Sequence, residues 1–137
     1  MKPGTKETIE KAGGIELIQK HMEEAKQEFD PNGKDSKTPG SKLDAGKTPL
    51  MRGVLHYFPL ALEAVAKVSL KGAEKYSWKG WEDVPDGINR YGDALVRHLL
   101  KEATEGPIDA DTGFHHACHA AWNSLARLEL ILRGKGK

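Results

Sequence analysis

Between Arg90 and Asn123 the chain reads RYGDALVRHLLKEATEGPIDADTGFHHACHAAWN, two stretches joined by the turn GPIDADTG. Apolar residues recur there at three- and four-residue steps and do not alternate with period two, so the stretch can only form a helical hairpin. The same segment holds Arg90, Asp93, Arg97, His98, Glu102, Asp109, His115, His116, His119 and Asn123, including four of the chain's six histidines. A structural hairpin rarely needs polar groups of such varied chemistry. A site for a charged, metal-chelating substrate does.

The rest of the chain reads as helices and loops. A length of 137 residues fits one compact domain with a modest core. A first helix is predicted over residues 5–29, with Thr5 as N-cap and a narrow stripe of Ile15, Leu17, Ile18 and Met22 suited to docking on another helix or subunit. Residues 30–49, rich in Pro, Gly, Ser, Asp and Lys, read as an ordered or semi-ordered loop. Its far end, Leu43 to Lys47, places a glycine beside a lysine, a pairing that brings backbone N–H groups and an ammonium near a phosphate. A second helix is predicted over 59–76, with Pro59 in its first turn, Leu62, Val65, Ala66 and Leu70 on its apolar face, and Glu63 and Lys67 paired outside. Gly72 is expected to admit a close neighbour. An aromatic loop with Tyr76, Trp78 and Trp81 follows. Helices over 87–105 and 113–133 complete the chain, with Thr112 as N-cap of the last. No strand pattern and no repeat appears. The expected architecture is an all-α bundle of about four main helices. Residues 1–42 form its N-terminal helix and loop, and 43–137 its main helical part.

Charge and cysteine content exclude several classes. Formal net charge is +1, from 21 Lys+Arg against 20 Asp+Glu, which does not suit a sequence-independent nucleic-acid binder. No apolar run is long enough to span a membrane, and no secretory signal peptide is expected. Cys118 is the only cysteine, so an internal disulfide is impossible and a reducing cytoplasm is the expected location. Its setting, HHACHAAW, reads as a buried, inert thiol.

Helical geometry sorts the polar groups. On a wheel at about 100° per residue, Ile88, Leu95, Val96, Leu99 and Leu100 share one broad face. Arg90, Asp93 and Arg97 lie on one flank, and Tyr91, His98 and Glu102 on the other. Asp93–Arg97 and His98–Glu102 are i,i+4 pairs, readable either as surface ion pairs or, for the second, as a carboxylate orienting an imidazole. His116, His119 and Asn123 share one face of the last helix. His-x-x-His lacks the glutamate of a zinc-protease helix, and no His-Asp dipeptide is present. Asp109 and Asp111 sit in the turn before that helix, Asp109 the better functional candidate and Asp111 the better cap neighbour.

At these residues the chain resembles the phage dATP/dGTP diphosphohydrolases, distant members of the MazG-like all-α nucleotide pyrophosphohydrolases. The matching segments are LDAGKTPL, ALEAVAKVSLKGAEKY followed by a tryptophan, RYGDALVRHLLKE and IDADTGFHHACHAAWN, in order over residues 43–126. The resemblance implies a helical enzyme that cleaves a purine (deoxy)nucleoside triphosphate, dGTP or dATP, between the α- and β-phosphates. It also implies Mg²⁺ or Mn²⁺ as cofactor and assembly as a homodimer or homotetramer. A phage-encoded chain would act in the host cytoplasm. The acidic motif of better-known MazG-like proteins, Glu-Glu-x-x-Glu followed by Glu-x-x-Asp, is absent. His119 and Asn123 stand where its second half is expected. Imidazole suits Mn²⁺, Zn²⁺ or similar ions, whereas Mg²⁺ prefers carboxylate oxygens.

Within that frame, Lys47, Lys75, Arg90 and Arg97 are the candidate phosphate binders, with His116 also placed against substrate. Asp93, Glu102, Asp109, His119 and Asn123 are the candidate metal shell. His98, assisted by Glu102, is the candidate general base. Tyr76, Trp78 or Trp81 is positioned to stack on a purine, and Trp122 reads as core or interface. A nucleotide-binding or nucleotide-sequestering protein without turnover is the alternative. A purely structural helical module leaves the histidines without a role.

Overall fold

The structure, a computed structural model, describes residues 28–135 together with Gly14 and Glu16. The helix expected over 5–29 lies almost wholly outside the described residues, and Glu28 and Phe29 are not helical. The chain divides into two compact units, Met1–Gly53 and Val54–Lys137.

The described part of the first unit is a folded loop built on one carboxylate. Asp30 Oδ1 accepts the backbone N–H of Asn32 (2.8 Å) and of Lys34 (3.3 Å), and Oδ2 accepts that of Lys42 (2.8 Å). The Lys42 amide contributes most to holding the carboxyl below its ordinary pKa, with Asn32 and Lys34 adding to it against the opposing effect of burial. Ala45 N–H returns to Phe29 O (3.0 Å) and closes the loop. Lys47 Nζ meets Glu28 Oε1 at 3.0 Å. A π-helical turn, Met51–Leu55, spans the boundary between the units.

The second unit is three helices: α1, Pro59–Lys75; α2, Gly87–Glu105; and α3, His116–Leu132, with a short 3₁₀ turn at Gly80–Asp83. Pro59 stands in the first turn of α1, where a missing N–H costs nothing. Glu63 and Lys67 pair on its outer surface at 3.7 Å. α2 keeps the boundaries its periodicity sets, and Gly106, at φ 103, ends it. α3 begins at His116 rather than at 113, with His115 in the cap position and Thr112 outside the helix. An isolated antiparallel bridge, Ile108 to His115, is the extended pairing present among the described residues. No described helix is long and apolar enough to cross a membrane.

α2 and α3 run antiparallel and very close. A Cβ on Gly87 would meet Leu130 Cδ1 at 2.8 Å, and one on Gly92 would meet Arg127 Nε at 3.4 Å. At this end an aromatic cluster ties the elements together. Trp81 packs edge-on against Tyr91 and Trp122, and Tyr91 against Trp122 at 5.6 Å. Tyr91 Oη donates to Trp81 O (2.7 Å), and Trp122 Nε1–H donates to Ser69 Oγ of α1 (2.8 Å). Arg133 lies over the Trp81 ring and pairs with Glu82 at 3.2 Å and Glu129 at 3.1 Å. Trp122 is therefore an internal anchor, and Cys118 is half-buried on the same helix.

Gly72 does not perform the close approach its sequence position suggests: a Cβ there meets nothing within 4 Å. The two glycines should respond oppositely to alanine. Leu130 is itself enclosed, so overpacking should make Gly87→Ala destabilising by about 1 kcal/mol net, whereas Gly72→Ala should stabilise by about 0.5–1 kcal/mol through helix propensity. Denaturant midpoints measure both; a neutral Gly87→Ala would contradict the close crossing.

Candidate functional site

The inward stripe of α3 is His116, His119, Ala120, Asn123, Ala126 and Leu130, all buried and sharing one face of the helix. Its C-terminal half is apolar and meets the start of α2. Its N-terminal half is polar, and buried polar groups must find partners. α2 supplies one, His98, and the loop between the helices supplies the rest.

That loop is shaped for the purpose. Asp109 N–H donates to Phe114 O (2.8 Å), Gly113 N–H to Asp109 O (2.7 Å), and His116 N–H to Pro107 O (2.8 Å). Gly113 takes φ 75, open to glycine at little cost. The turn thereby directs Asp109 and Thr112 to His119. His119 Nε2 lies 2.8 Å from Thr112 Oγ1 and 3.3 Å from Asp109 Oδ2. Thr112 O–H donates to Asp109 Oδ2 (3.3 Å), and Phe114 N–H donates to Thr112 Oγ1 (3.2 Å). With its own proton given to Asp109, and with the Asp109 carboxylate 3.3 Å from the same ring nitrogen, the threonine oxygen is read as accepting from His119. This assigns His119 the Nε2–H tautomer and leaves the lone pair on Nδ1. Asp109 Oδ1 also accepts Asp111 N–H (3.1 Å).

The other two imidazoles complete the cluster. His98 Nδ1 is 3.0 Å from His116 Nδ1, and the His98 ring stacks on His119 at 4.6 Å with 13° between planes. His116 is 1% exposed, and its Nε2 has no hydrogen-bond partner in the protein. Burial pushes His98 below its ordinary pKa, helped by His119 and opposed by Asp109. Burial also lowers His119, against Asp109. Burial acts to raise Asp109, but the Asp111 amide, the His119 imidazole and the Thr112 hydroxyl together hold it below its ordinary value. At neutral pH the centre is one carboxylate among uncharged His98 and His119 rings. Neutral imidazole is the form that binds metals and accepts protons.

The expected residues divide between this cluster and the surface. His98, Asp109, His116 and His119 come together. Asn123 lies buried one turn beyond His119 but donates its amide to His119 O (2.8 Å), so that donor is occupied by the helix backbone. Asp93 and Glu102 are exposed and have no ion-pair partner among the described residues. Neither i,i+4 pair on α2 forms. His98 turns inward to the other histidines, because tertiary contacts outweigh a surface pair of a few tenths of a kcal/mol, roughly. Arg97 is exposed, Arg90 donates to Pro85 O (3.3 Å), and Lys75 sits over the Tyr76 ring at 5.2 Å. Tyr76 and Trp78 are largely exposed, whereas Trp81 is engaged by its aromatic neighbours. Lys47 belongs to the first unit and is paired with Glu28. Thr112 is the residue whose role sequence reasoning missed. Its spacing of three from Asp109 and seven from His119 was the available signal.

Fold and cluster define an all-α protein with a buried imidazole–carboxylate centre. Residues 37–137 match the family described as dATP/dGTP diphosphohydrolase, N-terminal, and the chain belongs to that family. A similar curated protein is the dATP/dGTP diphosphohydrolase of Salmonella phage PMBT28, 39% identical over 82 residues, covering 60% of this chain and 26% of that protein. The chain thus spans about a quarter of that relative's length. No solved structure matches it.

The network makes Thr112→Val a sharp test. Removing the shared hydroxyl leaves His119 and Asp109 short of a partner at a cost of about 1–3 kcal/mol. Histidine ¹⁵N correlation spectra should show His119 protonated at Nε2 in the native chain and a mixed tautomer in the variant. A native ring protonated at Nδ1 would contradict the assignment.

Proposed function

We infer that the chain forms part of an enzyme that hydrolyses a purine (deoxy)nucleoside triphosphate, dGTP or dATP, to the monophosphate and pyrophosphate. One observation carries the reading: His98, Asp109, His116 and His119 meet in a buried cluster in a chain of the dATP/dGTP diphosphohydrolase N-terminal family. The name of the phage relative supports the choice of nucleotides.

Water attacks the α-phosphorus, the bond to the bridging oxygen of the β-phosphate breaks, and a base takes the water's proton. His119 is the imidazole best prepared for that base. Asp109 and Thr112 fix its tautomer and ring plane through Nε2–H, which leaves Nδ1 to accept a proton. This exchanges the roles first expected of His98 and His119. His98 instead faces His116 at 3.0 Å, where both would serve as ligands. Mg²⁺ or Mn²⁺ is the expected cofactor, and two imidazoles with one carboxylate suit Mn²⁺ better than Mg²⁺. His98, Asp109 and His116 would hold the ion, which supplies charge neutralisation at the phosphates and a more acidic water. Arg90, Arg97 and Lys75 remain the proposed phosphate contacts, with exposed Tyr76 and Trp78 as purine platforms. Exposed Val96, Leu99 and Leu100 on α2, and Leu125, Leu128 and Leu132 on α3, support a homodimer or homotetramer.

Incubation of the protein with dGTP or dATP and Mn²⁺ or Mg²⁺ should release pyrophosphate and the monophosphate. His119→Ala should lower the rate by roughly 10²–10⁴-fold, the contribution of general base catalysis. No pyrophosphate from any nucleotide with either metal would remove the enzyme reading, and tight nucleotide binding without release would select capture instead.

A further inference from the structure

We propose that Arg133 is a positioning residue for purine binding. From the C-terminal end of α3 it latches the loop between α1 and α2, and so fixes the exposed Trp78 ring as a stacking surface. The proposal rests on the reading of Trp78 as a purine platform and adds the device that holds it in place.

Three observations carry it. First, the backbone around Trp78 is pinned on both sides. Gly80 N–H donates to Ser77 Oγ (3.1 Å), and Glu82 N–H donates to Lys79 O (3.1 Å). A Cβ on Gly80 would come within 2.6 Å of Ser77 Oγ and push it off that bond. Second, Arg133 grips the loop just beyond Trp78 at two points. Its guanidinium lies 5.5 Å from the centre of the Trp81 ring, and Nη1 meets Glu82 Oε1 at 3.2 Å. Nη2 meets Glu129 Oε1 at 3.1 Å, which ties the same group to α3. One planar cation thereby joins a helix end, a ring and a loop carboxylate, a combination suited to arginine and not to lysine. Third, Trp78 is 65% exposed and makes none of the ring–ring contacts of Trp81 and Trp122 among the described residues. The pinning therefore does not serve to bury it.

A bare indole on a pinned loop is a preorganised stacking surface, because its ordering cost is met before a ligand arrives. The loop reaches toward the histidine cluster through Trp81, which packs at 6.1 Å on Trp122, one turn beyond His119. Arg133 itself, at the far end of α3, is about 20 Å from His119 along a helix rising about 1.5 Å per residue. At that distance it touches no reacting atom. Its loss should weaken binding of the ground state and leave the chemical step alone.

Affinity is measured with α,β-methylene dGTP, which cannot release pyrophosphate, and turnover with dGTP, both with Mn²⁺. The loop is followed in the nucleotide-free protein by ¹⁹F spectra of incorporated fluorotryptophan, with the Trp78 signal assigned through Trp78→Phe. Arg133→Ala should raise the dissociation constant and KM together by roughly three- to tenfold. It should leave kcat within about twofold and shift or broaden the Trp78 signal. Arg133→Lys, which keeps an ion pair, should recover part of the affinity. If circular dichroism shows Arg133→Ala unfolded, Glu82→Gln tests the same latch from the loop side. No analogue binding by the native chain, affinity unchanged in Arg133→Ala and Glu82→Gln, an unmoved Trp78 signal, or a fall in kcat with KM kept would overturn the proposal. Analogue binding that depends on Arg133 without any turnover keeps the latch and rejects the enzyme; turnover with a KM indifferent to Arg133 does the reverse.

Discussion

The second unit depends on one constraint: the inward stripe of α3 is polar where it meets the middle of α2. His116, His119 and Asn123 occupy positions that a bundle ordinarily fills with leucine or alanine. Burying them obliges the neighbouring chain to supply partners. The turn from Gly106 to His115 is shaped by that demand, with Gly113 at positive φ and Asp109 and Thr112 directed to His119.

Stability alone does not account for this arrangement. A hydrogen bond adds about 1 kcal/mol net, while an unpaired buried group such as His116 Nε2 costs about 1–3 kcal/mol. Apolar side chains of the same volume usually serve a core as well or better. The cohesion lies at the opposite end, where Gly87 admits Leu130 and the Trp81, Tyr91 and Trp122 rings bind α1, α2 and α3 together. An apolar end secures the hairpin and a polar end is free for chemistry. That division follows the order of residues along α3.

Much of this was legible in the sequence, and the exceptions share a cause. α2 matches its expected limits because its periodicity is strong and Gly106 with Pro107 ends it. α1 differs by one residue at its C-terminus. The His116, His119, Asn123 face is a matter of spacing and appears as expected. Thr112 reads as a helix cap but bonds across the turn to Asp109 and His119, a contact no local pattern records. His98 reads as a partner of Glu102 but pairs with residues 18 and 21 positions away. Asp30 is one carboxylate in a Pro/Gly/Lys-rich loop, and the Lys42 amide it holds lies 12 residues on. Local propensity shows which residues share a face; it does not show which distant group that face meets.

The central claim is that the buried histidine–carboxylate cluster is where the triphosphate is handled. The most direct measurement is a crystal structure of the protein with Mn²⁺ and a dGTP analogue that resists hydrolysis between the α- and β-phosphates. The account predicts the ion in contact with His98, Asp109 and His116, and the α-phosphate beside His119. A triphosphate bound elsewhere, with the cluster closed on itself as His98 against His116, would contradict it.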